Sequence, residues 1–178
     1  MSHRFNSWTL VFFLVLVLGT GWLWASQVPA NALPQARPAE PAVGHPAPPL
    51  VLPTLDGSTF DLERLRGTPV VLNFWATWCG PCQRELPALQ AAAERYEGLV
   101  VFAGVDQGEE PEVVRPYVEQ MGLTFVIPMD RDHEAAHRYN VMGLPTTFFI
   151  DQYGVIRHIW TGEMNSIILA EAVAQILP

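Results

Sequence analysis

Cys79 and Cys82 are the two cysteines of a 178-residue chain, and Gly80-Pro81 separates them. Two thiols at this spacing can close into a disulfide and open again, carrying two electrons each time. The apolar run Pro69-Val70-Val71-Leu72-Asn73-Phe74-Trp75 precedes them and reads as a strand buried on both faces. A helix from about Pro81 to Glu97 follows, with Leu86, Leu89, Ala93 and Tyr96 at helical spacing and Gly98 stopping it. Cys79 therefore falls at a helix N-terminus, where unpaired N–H groups favour the thiolate, the reactive form of the side chain. Cys82 lies one turn inward. This order gives Cys79 as the attacking sulfur and Cys82 as the one that resolves a mixed disulfide. Trp78, Gly80 and Pro81 complete the motif, with the proline stiffening the first turn.

Other uses of the same residues fit less well. A purely structural bridge over two residues closes a very small loop and removes little entropy from the unfolded chain. A closed zinc site needs more ligands than one pair supplies. His133 and His137 are spaced to share a helix face, but about fifty residues separate them from Cys82, far from finger spacing. They read as a solvated face, and no metal is expected. The acidic run Asp106–Glu112 reads as charges around the first turn of a helix opening at Glu110-Pro111, without chemistry of its own.

The elements around the pair alternate. Leu50–Leu52 and Ser58–Asp61 form an expected hairpin about Asp56-Gly57, and Leu99–Val105 and Phe125–Met129 are further strands. A short helix is expected over His133–Tyr139. Thr146–Ile150 and Val155–Thr161 flank an Asp151–Gly154 turn, and a last helix capped by Asn165 or Ser166 reaches Leu177. This is an α/β domain with a mixed sheet. Ahead of it, residues 1–7 form an N-terminal tail. Trp8–Ala25 is eighteen residues without a charge, roughly 27 Å as a helix and close to a bilayer core. Its length favours a retained transmembrane anchor, while Ala30-Asn31-Ala32 keeps a cleaved signal open. With Arg4 inside, both place the remainder outside the cytoplasm, at the periplasmic or outer face. Residues 26–49, with seven prolines, read as an extended spacer, and the folded domain as 50–178. A net charge of −8 argues against nucleic acid as a partner.

The segment Asn73–Cys82 with Glu85-Leu86-Pro87, and later Gly143–Asp151 with Gly154, closely resembles the thioredoxin superfamily. Within it the chain is similar to the TlpA/ResA-type group of membrane-anchored, extracytoplasmic thiol–disulfide oxidoreductases, over about Leu50 to Pro178. The resemblance implies a three-layer thioredoxin-like fold with a mixed central sheet, an extra N-terminal hairpin and a helix–strand insertion around Pro111–Met129. It also implies a cis Pro145 facing the dithiol. Substrate would dock on the Leu144 backbone, with Thr146 flanking the groove and Trp78 forming its other wall. Thioredoxins proper carry an aspartate where this chain has Asn73, together with a lysine, a residue type this chain lacks. Glu85, matching a glutamate of the group, becomes the candidate for proton traffic to Cys82 if burial raises its pKa; the alternative is a helix-surface carboxylate.

The implied activity is reduction of client disulfides, with apocytochrome c as a client and a transmembrane thiol transporter as electron donor. The enzyme is expected to act as a monomer without a cofactor. A thiol oxidant or isomerase, and a non-catalytic binding module, are the alternatives; a peroxidase of related fold is disfavoured by the paired cysteines.

Overall fold

Six consecutive buried residues make β3 (Val70–Trp75) the middle strand of the main sheet. The computed structural model describes residues 38–178, together with Trp8, Val11 and 15–18. The chain divides into a unit Met1–Ala36 and a unit Arg37–Pro178. In the first, the six described residues are helical and exposed. The expected anchor over 8–25 lies otherwise outside the described residues. Among the described residues no helix is long and apolar enough to cross a membrane.

In the second unit β1 (Val51–Pro53) and β2 (Thr59–Asp61) form the antiparallel hairpin, with Leu52 opposite Phe60. A 3-10 turn over Leu62–Leu65 leads to β3. Then come α1 (Gly80–Arg95), β4 (Val101–Gln107), α2 (Pro111–Met121), β5 (Met129–Asp130) and α3 (Glu134–Arg138). β6 (Thr146–Ile150), β7 (Ile156–Thr161) and α4 (Ser166–Ala174) complete the order. The five-stranded sheet runs β5-β4-β3-β6-β7, parallel from β5 to β3 and antiparallel from β3 to β7.

Strand alternation sorts the core into two layers. Val71 and Trp75 of β3 and Phe149 of β6 pack with Leu86 and Leu89 of α1 and Leu169 and Val173 of α4. Leu72, Phe74, Phe148 and Ile150 point the other way, onto Leu50, Phe60, Ala135 and Tyr139. Helices α1 and α4 thus cover one face, and the hairpin with α3 covers the other. Asn165 caps α4 by accepting hydrogen bonds from the N–H groups of Ile167 and Ile168, both at 3.0 Å. Asn165→Ala is expected to cost about 1 kcal/mol, read as a lower denaturant midpoint with unchanged slope.

Two expectations need correction. The strand expected over Phe125–Met129 is a bridge from Val126 to Ala103 followed by the two-residue β5. Pro128 stands between them and has no N–H to give a ladder. The folded domain also begins well before Leu50. The Gly44 N–H donates to the Ile156 carbonyl, the Ile156 N–H to His45 and the Ala47 N–H to Gly154, so the chain runs beside β7. The Tyr139 hydroxyl then donates to the Pro48 carbonyl at 2.6 Å, and Arg138 to that of Pro49 at 2.8 Å. A proline-rich segment is poor in donors, but its extended carbonyls remain good acceptors. Residues 40–49 are part of the domain, and a spacer of 26–49 is too long.

Candidate functional site

β3 ends at Trp75, and the chain turns through Ala76-Thr77-Trp78, closed by the Cys79 N–H on the Ala76 carbonyl at 3.2 Å. Cys79 is the N-cap of α1, and its Sγ accepts the Cys82 N–H at 3.2 Å. That donor is one of the orphan N–H groups of a helix start, and a sulfur carrying negative charge profits most from it. The two cysteines form a disulfide, with Cα atoms 5.2 Å apart. Cys79 is 5 % exposed and Cys82 fully buried, so an incoming disulfide can meet Cys79 alone. Beside them the Leu144–Pro145 peptide is cis. β6 starts one residue later, with Thr146 opposite Phe74 of β3, which brings Pro145 to the same sheet end as the dithiol. The Thr146 hydroxyl donates to the Gly143 carbonyl at 2.7 Å and pins this turn. Trp78, 68 % exposed, and Leu144 line one groove of about 340 Å³, shared with Val141, Met142, His133 and His137.

Beneath the dithiol lies a buried polar chain. Glu85, 1 % exposed, is on the inner face of α1, one turn after Cys82. Its Oε1 accepts the Asn73 amide at 2.8 Å, and its Oε2 accepts the Met164 N–H at 3.0 Å. The second proton of the Asn73 amide goes to the Thr147 hydroxyl oxygen at 2.9 Å. Burial raises the Glu85 pKa to about 7, against the two donors, which favour the ionised form, and with a smaller push from Glu163. A helix-surface carboxylate is thereby excluded. Asn73 takes the aspartate position as a donor, leaving Glu85 the one carboxyl in the hydrogen-bonded set Glu85, Asn73 and Thr147.

A second polar contact holds the turn before Cys79. The Glu109 carboxylate accepts both the Thr77 N–H and the Thr77 hydroxyl, each at 2.6 Å. From α1 the Gln83 amide donates to the Thr77 carbonyl at 2.6 Å.

Residues 43–159 match the AhpC/TSA family. The chain is a thioredoxin-like member of that family. It is 44 % identical over 126 residues to the thiol-disulfide oxidoreductase ResA of Geobacillus kaustophilus, covering 70 % of this chain and 72 % of that one. It is 32 % identical over 180 residues to ResA of Halalkalibacterium halodurans, covering 100 % of this chain and 99 % of that one. Among solved structures, a putative thiol:disulfide interchange protein DsbE from Chlorobium tepidum aligns with a TM-score of 0.72 at 26 % identity, over 77 % of this chain and 99 % of that one. The chain is a thiol–disulfide oxidoreductase.

The oxidoreductase brings together Trp78, Cys79, Cys82, Leu144, Pro145 and Thr146 at one end of the sheet, with Glu85 underneath. His133 and His137 stand on the groove wall, where His133 Nδ1 lies 3.4 Å from Gln107 Oε1. Of the acidic run, Glu110 is the N-cap residue and Glu112 the first-turn acid of α2, as their spacing suggests. Glu109 departs from that reading. Its clamp on Thr77 joins residues 32 apart, and no local pattern announces it.

Proposed function

We propose that the enzyme reduces client disulfides outside the cytoplasm, with Cys79 as nucleophile and Cys82 as resolving thiol. The observation that carries this is the asymmetry of the pair: Cys79 caps the helix and keeps a small exposed edge, 5 % of its surface, and Cys82 is sealed beneath it. In the reduced enzyme the Cys79 thiolate attacks one sulfur of a client disulfide, forming a mixed disulfide and expelling the other client sulfur as thiolate. Cys82, giving its proton to Glu85, then attacks the Cys79 sulfur. The Cys79–Cys82 disulfide forms, the second client thiolate leaves, and two electrons have passed to the client. Leu144 and the exposed Trp78 ring, which line the groove, supply the docking walls for an extended client segment, with Pro145 and Thr146 buried behind them.

The direction of flow rests on Gly80-Pro81 between the cysteines, the arrangement the resemblance to thioredoxin ties to a strongly reducing couple. The export reading rests on the apolar Trp8–Ala25 stretch behind Arg4, which also supplies a membrane tether. In an oxidising compartment the spent disulfide needs a dithiol donor served from inside, such as a transmembrane thiol transporter. Apocytochrome c, whose paired thiols must be reduced before haem attaches, is the client we favour. The test of direction is the equilibrium potential against glutathione. A value near about −270 mV supports the reductase, and one near about −120 mV makes the protein an oxidant.

A further inference from the structure

Asp106 is a buried ionisable group that the dithiol mechanism does not use. It is the next-to-last residue of β4, in direct register with Trp75, two residues before Thr77, and none of its surface reaches solvent. Neither of its oxygens has a partner at full hydrogen-bond geometry, the Glu109 backbone N–H being the one donor that approaches, an expensive arrangement for a carboxylate. Its close polar neighbour is the carboxyl of Glu109. Glu109 is in turn the group that holds Thr77 by both its N–H and its hydroxyl. Two adjacent carboxyls of which one is fully buried are stable when a single proton lies between them.

We propose that Asp106 and Glu109 share one proton and act as a positioning clamp for the catalytic turn. Asp106 donates to Glu109, and Glu109 fixes Thr77 and so the direction in which Trp78 and Cys79 are presented. Gln83 holds the Thr77 carbonyl from the helix side, so the peptide is fixed from both flanks. Other charges around Asp106 do not provide the missing donor. Asp130 of β5 is also an acid, and it is occupied by the Gln107 amide and by the N–H groups of Ala135 and Ala136 in α3. Burial is the main cause holding the Asp106 proton, with its pKa raised to about 8; the Glu109 carboxyl adds to it, the Glu109 backbone N–H works against it, and Asp130 contributes least. Below that value the clamp is closed. As pH rises through it the proton leaves, two carboxylates face each other, and Thr77 is released.

The inference rests on Cys79 as the attacking thiol. The test measures the rate of attack of the reduced full-length chain on a small aromatic disulfide from pH 6 to 9, divided by the thiolate fraction read from ultraviolet absorbance. For the wild type this quotient is expected to be level to about pH 7.5 and to fall by about tenfold toward pH 9, the scale of a misplaced reacting atom. In Asp106→Asn the amide donates to Glu109 without titrating, and the quotient stays level throughout. Glu109→Gln lowers it by about tenfold across the range. Thr77→Val, which leaves the strand core untouched, lowers it by about fivefold, and its effect is not additive with Glu109→Gln. Superimposable profiles for wild type and Asp106→Asn overturn the proposal, as do additive effects of Thr77→Val and Glu109→Gln. A Thr77→Val chain with the wild-type quotient overturns it even if Asp106→Asn does not fold. A wild-type chain that makes no attack at any pH counts against the dithiol assignment instead.

Discussion

A Cys79→Ser enzyme is expected to lose client reduction by more than about 10⁴-fold while remaining folded. The chemistry explains the size of the loss. A serine hydroxyl is a weak nucleophile at neutral pH, and its oxygen cannot enter the disulfide exchange that Cys82 must complete. The fold explains why the variant survives. Serine is a strong N-cap residue and would accept the Cys82 N–H that Sγ now accepts at 3.2 Å. What remains is the loss of the disulfide, which closes a loop with a sequence separation of 3. Loop closure of that size is worth about 2 kcal/mol, and the reduced wild type lacks it as well. Cys82→Ser separates the two roles. Buried Cys82 is not needed for the first attack, so this variant should accumulate client–enzyme mixed disulfides on Cys79, visible as reducible adducts on a non-reducing gel. Adducts formed by Cys79→Ser and absent from Cys82→Ser would reverse the assigned order.

The placement of Cys79 at the helix start and of Cys82 inside it was readable from the chain because it depends on local facts. A near-continuous apolar run specifies a central strand, and a cysteine pair straddling the following helix start specifies which sulfur caps it. The Leu144–Pro145 side of the groove came through a motif that spacing alone would not have joined to the dithiol. Glu85 was ambiguous for a physical reason: a residue three after Cys82 could face core or solvent. The decision lies with the Met164 N–H, 79 residues away, and with Asn73 on β3. The Glu109–Thr77 contact is non-local in the same way, and the acidic run that hides it looks like an ordinary helix start. The docking of residues 40–49 escaped because their backbone N–H and carbonyl groups carry it. Backbone groups are nearly the same in every residue, so no side-chain periodicity records them.

Glu85→Gln is expected to slow the resolving step by about 10²-fold and leave the first step near its wild-type rate. Cys82 has to lose its proton in a pocket without solvent, and Glu85, one turn along the same buried helix face, has a pKa raised to about 7. A base poised there can take a thiol proton at neutral pH; glutamine cannot. Rapid-quench kinetics should show a burst of one client thiolate followed by slow release of the second, without the inflection near pH 7. Release of both at wild-type rates would remove Glu85 from proton transfer. The same substitution changes stability in a direction fixed by linkage. Burial lifts the folded pKa above the unfolded one, so this group's contribution is fully present below about pH 4.5 and is lost as pH rises to about 7. Over that interval the wild type should lose roughly 3 kcal/mol at most relative to Glu85→Gln, with no further divergence at higher pH. Glutamine exchanges the contact with the Met164 N–H for a constant offset, because an amide does not titrate in this range. A slow second thiolate together with the flattened stability curve would mark Glu85 as a proton acceptor; the flattened curve alone would mark it as a buried carboxyl that the chemistry does not use.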